Sequence, residues 1–146
     1  MIAQISDELY PQLNACGKTI ENHVDEDISV YGDYDKLARV FNNILKNAIT
    51  YSEDNSVIKV SARELADWTV IQFENDGEIP EDKLNVIFDK FCRLSNARLS
   101  ETGGSGLGLA IAKNIIVLHG GHIKAESTKG RTAFIIEIPS EKTQNK

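Results

Sequence analysis

Two asparagines four residues apart, Asn43 and Asn47, and the glycine run Gly103-Gly104-Ser105-Gly106-Leu107-Gly108 are the features whose residue types and spacing point most directly to chemistry. On a helix that advances about 100° per residue, with Ile44 at zero, Leu37, Phe41, Leu45 and Ala48 fall between roughly +20° and +100°. On the same construction Asn47 falls at about −60°, Asn43 at about −100° and Tyr51 at about −20°. Both amides therefore line one edge of the buried face, and Tyr51 continues the stripe. A pair of amides at i and i+4 is either satisfied by neighbouring backbone or presents its oxygens to one ion or ligand. Asn42, at about 160°, is expected to face water.

The glycine run leads directly into Leu109-Ala110-Ile111, where a helical pattern resumes. Free backbone amides at a helix start make a phosphate site, and missing side chains admit a ligand to the backbone; the alternative is a flexible loop with one glycine kept for helix packing. Two common nucleotide signatures are excluded. Counting G-x-G-x-x-G from Gly104 puts Leu109 at the third glycine, and Leu109 and Ala110 stand where a P-loop needs Lys and Ser or Thr. A second cluster, Asn75-Asp76-Gly77-Glu78-Ile79-Pro80, ends a strand pattern. Such a polar strand end reaches a base while its glycine admits the ring edge, or it is an ordinary turn. Arg93 and Arg98 either pair with phosphate oxygens or are solvated loop charges.

The elements that must position these residues are legible from periodicity. Ile2, Ile5, Leu9 and Leu13 predict a first helix over residues 1–16, kinked or ended at Pro11. Extended stretches near residues 19–22 and 28–31 flank the acidic turn Asp25-Glu26-Asp27 and suggest a small hairpin. Asp33 caps a helix carrying Leu37, Val40, Phe41, Ile44, Leu45 and Ala48. Strands over 56–63 and 68–74 flank a turn at Ala66-Asp67, and Pro80 opens a helix with Leu84, Ile87, Phe88 and Phe91. Residues 92–105 form a long polar loop; a helix follows over 107–118, stopped by Gly120-Gly121, then strands over 123–127 and 132–138. These elements do not alternate as βαβ units, which predicts a two-layer α/β sandwich of the α+β kind, with a mixed, mostly antiparallel sheet on about three helices. One domain over 1–139 and a frayed polar tail over 140–146 are expected.

Composition narrows the function classes. The chain has 146 residues, with 16 Lys plus Arg against 22 Asp plus Glu and a net charge of −6. At 41% hydrophobic and 26% charged it holds enough apolar side chain for a core. An acidic pI near 5.1 argues against nucleic acid. No apolar run reaches the roughly 18 residues of a membrane span, so no direct membrane contact is expected of this fragment. Cys16 and Cys92, far apart and without neighbouring ligands, suit reduced thiols in a cytoplasmic setting.

Taken in order, these motifs resemble the catalytic, ATP-binding domain of bacterial sensor histidine kinases over residues 2–139. Asn43-Ile44-Leu45-Lys46-Asn47-Ala48 is similar to the N box of that family, Asn75-Asp76-Gly77 to its first glycine box, Phe88-Asp89-Lys90-Phe91-Cys92-Arg93 to its F box, and Gly104 to Ile111 to its second glycine box. The run DKLARVFNNILKNA further resembles the vancomycin-resistance sensor kinases. Asn75 stands where the family carries aspartate, and the second glycine of that box is lost, leaving Glu78 before Ile79.

The resemblance implies a Bergerat-type ATP-binding fold with a lid loop, and Mg²⁺ with ATP as cofactors. Asn47 would hold the metal and Asn43 would contact phosphate or metal-bound water. Tyr51 would flank the adenine, Asn75 would recognise its amino group and Gly77 would make room for the ring. Ile79 and Thr132 would also contact the nucleotide, and Gly104, Gly106, Leu107 and Gly108 would form the phosphate-facing lid hinge. Arg93 and Arg98 would approach the terminal phosphate. The implied activity is phosphotransfer to a histidine on a separate phosphoacceptor helix-hairpin domain, with a response regulator downstream and a parent protein in the cell membrane. His23, His119 and His122 lie in no phosphoacceptor context; His119 and His122 flank a helix end, where histidine suits the dipole. The rival readings are another ATPase of the same fold, of repair, chaperone, topoisomerase or serine-kinase type, and a degenerate interaction module without nucleotide binding.

Overall fold

A computed structural model describes residues 2–25, 28, 30, 32–79, 84, 87–88 and 108–140, except the side chains of Ala3 and Tyr51. Its elements are α1 (Ile2–Glu8), α2 (Tyr10–Ala15), β1 (Thr19–His23), α3 (Tyr34–Tyr51), β2 (Val57–Leu65), β3 (Trp68–Asp76), α4 (Gly108–Leu118), β4 (His122–Thr128) and β5 (Arg131–Pro139). The predicted first helix is broken in two, with Pro11 in the first turn of α2, where its missing N–H costs nothing. Most of the helix expected from Pro80, the tail past residue 140 and the loop expected over 92–105 lie outside the described residues.

The five strands form one sheet in the order β1-β2-β3-β5-β4. The β2–β3, β3–β5 and β4–β5 pairs are antiparallel. The β1–β2 pair is parallel, with Ile20 opposite Ile58. This corrects the expected hairpin. The stretch near residue 30 goes instead to the far end of β5, where Val30 bridges Ser140. Local adjacency suggested a hairpin, but apolar β2 offers an edge that β1 fills.

Along β5, Thr132, Phe134, Ile136 and Ile138 are buried at alternate positions, as one covered sheet face requires. The covering layer is α3 and α4. Leu37, Val40, Phe41, Ile44, Leu45 and Ala48 of α3 are all buried, and Phe41 meets Phe73 of β3 with ring centroids 5.9 Å apart. Leu109, Ala112, Ile115 and Ile116 bury the matching face of α4. The chain leaves α4 through Gly120 at φ +78° and then passes so close to β5 that a Cβ on Gly121 would sit 2.3 Å from the Glu137 carbonyl oxygen.

Both ends of α3 are pinned. Asp33 caps its start by accepting from Lys36 N at 3.1 Å, and Asp33 N donates to His119 Nε2 at 3.1 Å. At its other end the ammonium of Lys18, only 5% exposed, donates to the carbonyls of Ile49 and Ser52. A cation on the last carbonyls of a helix satisfies orphan acceptors and opposes the dipole. Among the described residues no helix is long and apolar enough to cross a membrane.

Candidate functional site

Asn43 and Asn47 are both half-buried on α3, on the edge the helical wheel gives them. Asn43 Nδ2 donates to the backbone carbonyl of Gly108 at 3.1 Å. That bond ties the amide edge of α3 to the first residue of α4, where the glycine run ends. A Cβ on Gly108 would come within 3.8 Å of Asn43 Cγ, so the two elements meet at ordinary contact distance. Tyr51 closes α3 one turn beyond Asn47, with its side chain outside the described residues. Asn42 does not simply face water. It is half-buried beside Gln4, Ile5 and Glu8 of α1, because α3 carries a second packing face there.

The second cluster forms where β3, β4 and β5 end. Asn75 is 3% exposed, and its Nδ2 donates to the Asp76 carbonyl at 3.1 Å. Gly77 takes φ +135°, a backbone region that glycine alone enters freely. Its N–H donates to the Gly130 carbonyl at 2.7 Å, and its carbonyl accepts from Thr132 Oγ1 at 2.7 Å. Ile79 is buried, and its N–H donates to Ser127 Oγ at 2.8 Å. Thr132, itself 3% exposed, is 3.0 Å from Ser127 through its hydroxyl. Gly77 and Ile79 thus share one hydrogen-bonded cluster with the distant Thr132, and Asn75 lies beside it as the β3 partner of Thr132.

Charged groups rim this cluster. Glu78 Oε1 accepts from Gly130 N at 2.9 Å, and Arg131 pairs with Asp76 at 3.0 Å and Glu74 at 3.8 Å. Glu78 therefore has a local use, closing the turn onto the β4–β5 hairpin. The two halves of the site connect just past α3, where Glu53 N donates to the Asp76 carbonyl at 3.0 Å. Ser127 and Lys18 belong to this scaffold and no motif singled them out. For Lys18 the available signal was a lone cation before a short strand, which local spacing does not distinguish from a solvated one. Arg93, Arg98, Gly104, Gly106 and Leu107 lie outside the described residues.

A helix-edge amide pair held to the start of a glycine-led helix, beside a glycine turn at a strand end, is the combination sought in the sequence. A sequence model of the family described as histidine kinase-, DNA gyrase B-, and HSP90-like ATPase matches residues 32–142. The chain belongs to this ATPase family. Among its relatives, the sensor protein VanS of Enterococcus faecium is 60% identical over 140 residues, covering 96% of this chain and 36% of VanS. The chain spans between about a fifth and two fifths of the curated relatives it matches. The solved catalytic domain of the histidine kinase ThkA superposes with a TM-score of 0.82 at 27% identity, covering 95% of this chain and 90% of that one. ThkA is also solved in complex with the response regulator TrrA, with a TM-score of 0.78 at 26% identity, over 95% of this chain and 39% of that one. The two-layer fold expected from the sequence is thus the fold of ATPase-family histidine kinase catalytic domains, and the resemblance to vancomycin-resistance sensor kinases holds.

Proposed function

We propose that this chain binds Mg-ATP between the amide edge of α3, the start of α4 and the β3–β5 strand ends, and donates the terminal phosphate to a histidine on a separate phosphoacceptor helix hairpin. The observation that carries this reading is the Asn43–Gly108 hydrogen bond, which joins the amide edge of α3 to the helix start that glycines approach. With Nδ2 of Asn43 engaged there, its oxygen is left for metal-bound water or phosphate. Asn75 has its Nδ2 on Asp76, so Oδ1 is the group it offers to the amino group of adenine, and Gly77 leaves room for the ring. Tyr51 and Ile79 border the base, and Thr132 fixes the Gly77 carbonyl beside it.

The donor set suits magnesium. The ion prefers oxygen ligands and is commonly held by one or two protein groups together with phosphate oxygens and water. Asn47, half-buried one turn beyond Asn43, supplies an amide oxygen of that kind. Bound there, the metal would offset phosphate charge. Gly104, Gly106, Leu107 and Gly108 would cradle the phosphates, and Arg93 and Arg98 would stabilise the terminal phosphate as it moves. Positioning and charge neutralisation make up most of phosphoryl-transfer catalysis, so such a domain needs no nucleophile of its own.

VanS is a sensor protein by name and ThkA is solved with a response regulator, which supports a place in two-component signalling. The parent protein would sit in the cell membrane, with this domain cytoplasmic and a response regulator downstream. Incubated alone with labelled Mg-ATP, the chain is expected to gain no acid-labile phosphate. With an added phosphoacceptor hairpin, that hairpin becomes labelled. A hundredfold excess of ligand over Kd adds about 2.7 kcal/mol to folding, so Mg-ATP raises the melting temperature by several degrees. Stable phosphate on His23, His119 or His122 would overturn the transfer reading, and no thermal shift would overturn nucleotide binding.

A further inference from the structure

Ser127 lies near the end of β4, and its hydroxyl belongs to a chain of hydrogen bonds whose direction is fixed at both ends. The Ile79 N–H donates to Ser127 Oγ at 2.8 Å, and Thr132 Oγ1 donates to the Gly77 carbonyl at 2.7 Å. An N–H only donates and a carbonyl only accepts. The 3.0 Å bond between the two hydroxyls therefore runs from Ser127 to Thr132. Each hydroxyl gives one hydrogen and receives one, so the relay from Ile79 N–H to Gly77 O has a single orientation.

The relay grips a turn that does not hold its own shape. Gly77 sits at φ +135°, and a glycine has many other conformations open to it. Two side chains of the β4–β5 hairpin hold its carbonyl and the N–H two residues on, while Gly130 holds the Gly77 N–H at 2.7 Å. None of the relay's hydrogen bonds reaches Asn43, Asn47 or α4.

We propose that Ser127 is a positioning residue for the base subsite, keeping the 77–79 backbone in the one conformation that passes the edge of the nucleotide base. The inference rests on the nucleotide reading above. Replacing Ser127 by Ala strands the Ile79 N–H and takes the donor from Thr132, so the turn relaxes where the base would lie. The phosphate end keeps its contacts. The loss should fall on ligands that carry a base and spare those that do not.

The test uses this chain as Ser127→Ala, Ser127→Thr and Ser127→Val, with a fluorescent ATP analogue displaced by ATP or by inorganic tripolyphosphate, both with Mg²⁺. Threonine and valine share a shape and differ in the hydroxyl, so their comparison stands even where the alanine variant fails to fold. In Ala and Val, ATP affinity is expected to fall about three- to tenfold with tripolyphosphate affinity unchanged, and Thr to restore ATP to within about twofold. Equal losses for both ligands would overturn the proposal, as would Val matching Thr, or a lower melting temperature with ATP affinity unaltered. If ATP fails to displace the analogue from the unsubstituted chain, the nucleotide reading itself falls, a result separate from any of these.

Discussion

The proposed site gives the one amide of Asn43 two tasks. Its nitrogen donates to the Gly108 carbonyl, so backbone satisfies the donor, and the oxygen is the group that the proposal assigns to a ligand. Asn43→Asp keeps the size but turns an oxygen toward that carbonyl, and is expected to cost about 1–3 kcal/mol and more than Asn43→Ala. Denaturant midpoints for both variants check this, and an aspartate as stable as the parent would contradict it. Asn47 carries the metal assignment. Asn47→Ala should cut the gain that Mg²⁺ adds to ATP affinity by about tenfold, the worth of one charge-assisted contact. Titrations with and without the ion measure that gain, and an unchanged difference would remove Asn47 from the metal site.

At the scale of elements, α3 is held at each end by a residue far from it in sequence. His119 receives the Asp33 N–H on Nε2 at 3.1 Å and its Nδ1 lies 2.8 Å from the Ile115 carbonyl, so the ring bridges the end of α4 to the start of α3. His119→Ala is expected to destabilise by about 1–2 kcal/mol, read from the urea midpoint. Lys18→Met would keep the length of the side chain but strand the carbonyls of Ile49 and Ser52, with an expected cost of about 1–3 kcal/mol. A neutral outcome in either would mean that water takes over the bonds. These pins explain what the sequence made legible and what it did not. The Asp33 cap, the amide edge and the strands around Ala66-Asp67 follow from nearest neighbours along the chain. The parallel β1–β2 pair, the α1 face that meets Asn42, and the reach of Lys18 depend on partners dozens of residues away, and no local period encodes them.

At the scale of the molecule, the residues that mark the family and those that complete the sheet do not coincide. The family match starts at residue 32, whereas Ile5, Leu9 and Leu13 belong to the core and β1 pairs with β2 from Thr19 to His23. A polypeptide beginning at residue 32 would keep every candidate site residue, yet present the backbone edge of β2 bare and leave the last turn of α3 without its ammonium. Unpaired strand edges recruit other chains. Such a trimmed protein is expected to melt several degrees lower than the 146-residue chain and to associate, visible as rising light scattering with concentration. Equal melting and scattering would show that β1 is dispensable. The parallel strand thus bears on protein production: a boundary taken from the family match over 32–142 would cut the polypeptide inside its folding unit, and an inactive, sticky product would be misread as a failed site.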